Sequence, residues 1–193
     1  MYLIFDTETS NLPKSGQSIK DPFCARIIQI AAILLDDKFE EKSCFKSLIQ
    51  LSNHYQISAG AFDAHGINHE MCQKFGIPIE AALCVFDSMA VLSKVQVAHN
   101  FHFDSRMLEF EVTNILDGMN STLTNPFCTM LASTPHCKLP GRNGQQYKWP
   151  KLSEAYKFFV GEDLVDAHDA LNDVRATAKV FRHLVEKGLV TLN

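Results

Sequence analysis

No two of the six cysteines form a C-x-x-C pair, which excludes a zinc ribbon and a dithiol redox motif. Glycine and proline are scarce, at 9 and 7 residues, and hydrophobic residues reach 46%, which excludes a disordered or collagen-like chain. No apolar run approaches the ~20 residues of a membrane span. The opening MYLIFD offers neither a basic leader nor a small-residue cleavage site. A reduced, cytoplasmic protein is expected, with no membrane partner. Basic excess is also missing, since the net charge is −4. Acidic residues are themselves absent between Gly118 and Ser153, where Lys138, Arg142, Lys148 and Lys151 stand. The rest of the chain is therefore more acidic than the whole, an asymmetry that suits an anionic ligand meeting one side. A basic solvated loop would give the same pattern.

What is present fits one domain over residues 1–193 with a sizeable core. Tyr2 to Phe5 reads as a buried strand ending at Asp6, and Arg26 to Leu35 as a second. Lys38 to Gln50 gives a more polar third. Ile79, Leu83, Phe86 and Ala90 share a helical stripe. Val95 to Ala98 is a short strand, and Phe101 to Leu116 a helix with Asn100 as N-cap. Leu152, Ala155, Tyr156 and Phe159 mark another helix. Ala170, Val174, Ala178, Phe181 and Val185 mark the last. This order predicts an α/β protein with a mixed sheet and helices packed on it. Cys84, within ALCVF, is expected to pack as a small hydrophobe.

Three acidic clusters carry the chemistry. In FDTETSNL, strand alternation puts Asp6 and Glu8 on one face, where two carboxylates repel unless a hard cation joins them. In VAHNFHFDSRML, Asp104 falls in the first turn of a helix, where the dipole favours negative charge. In AHDALNDVRATAKVF, His168 and Asp173 are five apart, about 140° on a continuous helix. They can share a site only if His168 precedes the helix, on a more mobile segment, while Asp173 is fixed on it. Read singly, each cluster has an ordinary structural explanation. Together, four carboxylates and a histidine form the inventory of two-metal phosphodiester hydrolysis.

FDTET, HNFHFDSRML and HDALNDVRAT resemble, in order and end to end, the three motifs of the DEDDh 3′–5′ exonucleases. That family includes the proofreading epsilon subunit and RNase T. RIIQIAAIL, HGINHEM, PFCTMLAS and YKWPKLSEAY add to the likeness. The resemblance implies an RNase H-like fold, a five-stranded mixed sheet flanked by helices. It implies two Mg2+ or Mn2+ ions held by Asp6, Glu8, Asp104 and Asp173, with Asp6 bridging both. His168 would be the general base. A tyrosine-bearing subgroup has its base four residues before the last Asp; Asp169 stands there, so the histidine version matches better. Where the family often has Gly, this chain has Asn11, which tolerates a left-handed turn.

Thr7, Leu12, Asn100 and Phe103 carry over as substrate contacts, with Leu12 at the position of an apolar wedge against the terminal base. Lys148 and Lys151 join them as phosphate contacts. The implied activity is release of 5′-mononucleotides from the 3′ end of a nucleic acid. Single-stranded DNA is expected ahead of RNA, whose trimming is the alternative. A homodimer or a polymerase or repair partner is compatible with the family, and the residues carry no separate signal for either.

Other readings compete. His102-Phe-Asp104 with His168 spells a two-His-one-carboxylate iron site, which would leave Asp6 and Glu8 without a role. His65 and His69 have zinc-like spacing, but Gly66 makes a regular helix between them doubtful. A nucleic-acid-binding module without catalysis could use Tyr147 and Trp149 among the lysines for stacking. Trp149, beside Pro150 and Leu152, is instead expected in the core.

Overall fold

The computed structural model describes residues 1–115, 123–141, 144, 146–165 and 169–192. Five strands are β1 (Tyr2–Thr9), β2 (Ile27–Leu35), β3 (Glu41–Leu48), β4 (Val95–Ala98) and β5 (Pro126–Cys128). They form one sheet in the order β3-β2-β1-β4-β5. β1 and β3 run antiparallel to β2, whereas β4 is parallel to both β1 and β5. The helices are α1 (Ala59–His65), α2 (His69–Phe75), α3 (Ile79–Val91), α4 (Phe101–Ile115), α5 (Thr129–Cys137), α6 (Leu152–Val160) and α7 (Ala170–Glu186). This is the five-stranded mixed sheet flanked by helices that the resemblance implies.

Alternation along the central strands makes two cores. Leu3 and Phe5 of β1 pack with Leu83 and Phe86 of α3 and with Met107 and Leu108 of α4. On the other face, Ile4 meets Val174 and Phe181 of α7. β2 is buried on both faces, as a run apolar but for Gln29 requires. Ala155 and Phe159 of α6 pack on Ala176 and Val180 of α7, with Phe127 of β5 against the same cluster. The edge strand β3 is mostly exposed and carries Glu41, Lys42 and Lys46, charges that discourage edge pairing.

Four expectations need correction. β1 does not end at Asp6 but runs on to Thr9, because Asp6, Thr7 and Glu8 still pair with Ala31, Ile30 and Gln29 of β2. Asn100 is not an extended N-cap: its φ is 72°, and its carbonyl accepts from the Phe103 N–H at 2.8 Å, closing a left-handed turn into α4. Cys84 is exposed, on the outer side of α3. Trp149 is 60% exposed, because the neighbouring Pro150 is the buried residue.

α1, α2 and α5 have no counterpart in the sequence reading. Gly66 does interrupt the histidine pair, since its φ of 68° ends α1, and Asn68 caps α2 by accepting from Met71 N–H at 2.9 Å. No helix among the described residues is long and apolar enough to cross a membrane.

Candidate active site

The parallel pairing of β1 with β4 reaches Ile4 opposite Val97, and β4 ends at Ala98. β1 continues beyond it, so Asp6, Thr7 and Glu8 lie past the carboxyl end of their parallel neighbour. Open sheets bind ligands at such ends. Alternation then sorts the three side chains. Asp6 and Glu8 share the face of Ile4, where α7 packs, and Thr7 turns to the face of Phe5, where α4 packs.

α7 brings Asp173 to the first face. One carboxylate oxygen from each of Asp6, Glu8 and Asp173 lies within 4.8 Å of the others. Such a set of hard oxygen donors fits a divalent cation. α4 brings Asp104 in its first turn to the second face, where it is buried. Its Oδ1 accepts the Thr7 N–H at 3.1 Å and the Thr7 hydroxyl at 2.7 Å.

Crowding has electrostatic consequences. Burial holds the Asp6 carboxyl well above the usual carboxylate range, reinforced by Asp104, Glu8, Asp173 and Asp169. Burial, then Asp173, Asp104 and Asp169, pushes Glu8 up to about 8. Burial raises Asp104 to about 7 against the opposing hydrogen bonds from Thr7. Asp6, Glu8 and Asp104 resist ionisation together beside Asp173, a site that a cation would complete.

The start of α7 is tied down twice. The Ala170 N–H donates to the Gln29 Oε1 of β2 at 2.9 Å. Asp169 caps the helix by accepting from the Leu171 and Asn172 N–H groups, and it pairs with Lys46 of β3. His168 lies outside the described residues, as do Arg142 and the rest of the segment before Asp169 back to Asp166.

The other sequence candidates are spread. Leu12 is 75% exposed in the loop after β1, and Phe103 is half-buried against the α3–α4 core. Lys148 pairs with Glu154 at 2.5 Å, and Lys151 is exposed at the start of α6. Asn11 does not make a left-handed turn; its side chain is buried and donates to the Gln56 carbonyl at 2.7 Å.

The iron-site reading fails on geometry. His102 is exposed while Asp104 is buried, as two residues ~200° apart on a helix must be. His65 and His69 are also apart, contacting the carbonyls of Thr9 and Ser52 respectively.

The sequence reading missed Gln29 and Lys46. It also missed that Thr7 has its hydroxyl committed to Asp104. Gln29 was visible as the one polar residue in the apolar run of β2.

Residues 3–181 match the RNase T family, described as exonuclease. No curated protein matches the chain in sequence. Among solved structures, E. coli exonuclease I in complex with a dA16 oligonucleotide is 18% identical, with a TM-score of 0.71 over 97% of this chain and 41% of that one. The chain thus spans about two-fifths of exonuclease I. The zinc-bound complex of that enzyme with single-stranded DNA is 19% identical, with a TM-score of 0.72 over 96% of this chain and 40% of that one. The nuclease domain of 3′hExo, a DEDDh family member bound to rAMP, is 17% identical, with a TM-score of 0.66 over all of this chain and 95% of that one.

Proposed function

Because the chain belongs to the RNase T exonuclease family, we propose that residues 1–193 form one metal-dependent domain of its DEDDh branch that removes 5′-mononucleotides from the 3′ end of single-stranded DNA. The observation that supports this best is the convergence of Asp6, Glu8 and Asp173, with Asp104 entering from the opposite face of β1.

Asp6, Glu8 and Asp173 would hold one Mg2+ or Mn2+, and Asp6 with Asp104 a second. Bound ions supply an activated water and neutralise charge on the leaving oxygen. The protein's part is to fix the donors: β1 sets Asp6 and Glu8, Thr7 orients Asp104, and Gln29 with Lys46 sets the start of the helix bearing Asp173. His168, next to Asp169 in sequence, is assigned the proton acceptor. Leu12, exposed beside the site-bearing end of β1, suits a wedge against the last base. Asn100 and Phe103 flank the entry of α4, and Lys148 and Lys151 are assigned to the phosphate backbone. Thr7 stands beside the terminal nucleotide chiefly as the support of Asp104.

DNA is placed ahead of RNA, with the exonuclease I complexes as the supporting likeness. Digestion of 5′-labelled single-stranded DNA, blunt duplex and RNA of one sequence tests the reading. A ladder shortening from the 3′ end of single-stranded DNA is expected. Cleavage confined to RNA would overturn the DNA assignment, and internal cuts would overturn the exonuclease.

A further inference from the structure

Trp149 is the chain's only tryptophan, and it stands 60% exposed. Leaving so large an apolar ring in water is costly, and tryptophan is enriched where a partner covers it. Its surroundings argue against a loosely held loop. The Pro150 carbonyl accepts a hydrogen bond from His99 Nε2 at 3.0 Å, while His99 Nδ1 lies 3.0 Å from the Thr129 hydroxyl. The Lys148 N–H donates to the Leu139 carbonyl at 3.0 Å, and Tyr147 bridges Pro140. The Lys151 N–H donates to Glu154 at 2.8 Å. Backbone on both sides of Trp149 is therefore pinned, so covering the ring would cost little ordering entropy.

The anchor also locates it. His99 follows β4 directly, and continuing the pairing of Ile4 with Val97 by two residues sets His99 level with Asp6. Trp149, one residue from the carbonyl that His99 holds, borders the same end of the sheet as the carboxylates. Charge selects the occupant. From residue 123 to 153 the described chain has no acidic residue, and exposed Lys151 stands two positions from the ring. An aromatic face beside lysine on a fixed backbone is the chemistry that binds unpaired bases, in a way that tolerates any sequence.

We infer that Trp149 is a stacking platform for an unpaired nucleobase of the substrate strand, upstream of the residue being removed. The inference rests on the nuclease reading for the direction of the strand, though not for the stacking itself.

As the sole tryptophan, Trp149 reports on its own contact. The full protein is titrated with phosphorothioate-linked oligothymidylate, which slows hydrolysis, in calcium, a hard cation for the carboxylate site. A matched strand with abasic positions serves as the control. Fluorescence quenching by the base-bearing strand and little by the abasic one is expected. Trp149→Ala should bind a labelled strand on the order of ten-fold more weakly, and Trp149→Phe should recover part of that. Equal quenching by both strands, or none, overturns the platform. So does quenching that follows protein concentration instead of oligonucleotide, which would make the ring a protein contact. A wild-type protein that shortens DNA without base-dependent quenching loses the platform and keeps the nuclease reading. One that quenches yet shortens nothing keeps the base site and loses the exonuclease.

Discussion

Thr7 gives both its backbone N–H and its hydroxyl to a single oxygen of Asp104, at 3.1 and 2.7 Å, across 97 residues of sequence. The pair joins β1 to the first turn of α4 and lowers the Asp104 pKa against its burial. One carboxylate oxygen is thereby occupied by the protein, and the orientation of the other is fixed.

Thr7→Val keeps the shape and deletes the hydroxyl. It should raise the Asp104 pKa further, moving the acidic limb of the pH–rate profile upward, while Thr7→Ser restores it. The lost buried bond should cost about 1–3 kcal/mol in denaturant unfolding. An unchanged profile with lowered stability would make Thr7 merely structural.

The raised carboxyl pKa values predict how stability depends on pH. Glu8 and Asp104 titrate at about 8 and about 7 in the fold, against 4.5 and 3.8 ordinarily. The metal-free folded state therefore binds more protons than the unfolded chain between those limits. The associated stability is complete below the ordinary values and is lost as pH rises through about 7 and 8. In chelator, the melting temperature should be lower at about pH 8.5 than at about pH 6, and added Mg2+ or Mn2+ should close the gap. Glu8→Gln should raise the metal-free melting temperature at the higher pH while it removes activity. A melting temperature that is flat in chelator contradicts this electrostatic account.

How far all this was legible depends on the range of each signal. The carboxylates sit in local motifs, and Val95–Ala98 follows from its apolar run. α7 follows from its stripe. The extent of β1 was not legible, because Asp6, Thr7 and Glu8 look like a loop until β2 pairs with them. The short helices α1 and α2 are punctuated by Ser58, Gly66, Asn68 and Gly76, but seven residues give too little periodicity to weigh. Trp149 was misread because its apolar neighbour Pro150 takes the buried place. Contacts between distant segments, such as Thr7 with Asp104 or Gln29 with Ala170, leave no periodic trace.

Gln29 makes the next case. Its side chain accepts the buried Ala170 N–H, directly opposite Glu8 in the β1–β2 register. Gln29→Leu should leave that N–H unpaired and let the start of α7 shift. The turnover number should fall more than the Michaelis constant rises, because Asp173 would hold the cation and not the distal strand. Equal turnover in steady-state kinetics would sink this role.

Arg26 and Glu111 form a second long-range tie, away from the carboxylates. Glu111 is 1% exposed and accepts from the Arg26 guanidinium at 2.6 Å and from the Ile27 N–H at 2.9 Å. Glu111→Ala strands the arginine and should cost about 3–5 kcal/mol. The paired change Arg26→Met with Glu111→Leu should cost less, since no charge is then left buried. Chemical denaturation of wild type, Arg26→Met, Glu111→Leu and the double variant decides it, and an additive double variant would rule out a coupled pair.

The central claim is that these carboxylates hold the cations that cleave a 3′-terminal phosphodiester. Single-turnover digestion of 5′-labelled single-stranded DNA, followed against Mg2+ or Mn2+ concentration for wild type and Asp6→Asn, tests it most directly. The account predicts no cleavage in chelator and a metal-dependent ladder receding from the 3′ end. It also predicts a loss of several orders of magnitude in the variant at every metal concentration. Cleavage that persists in chelator, or an Asp6→Asn protein as fast as wild type, would contradict it.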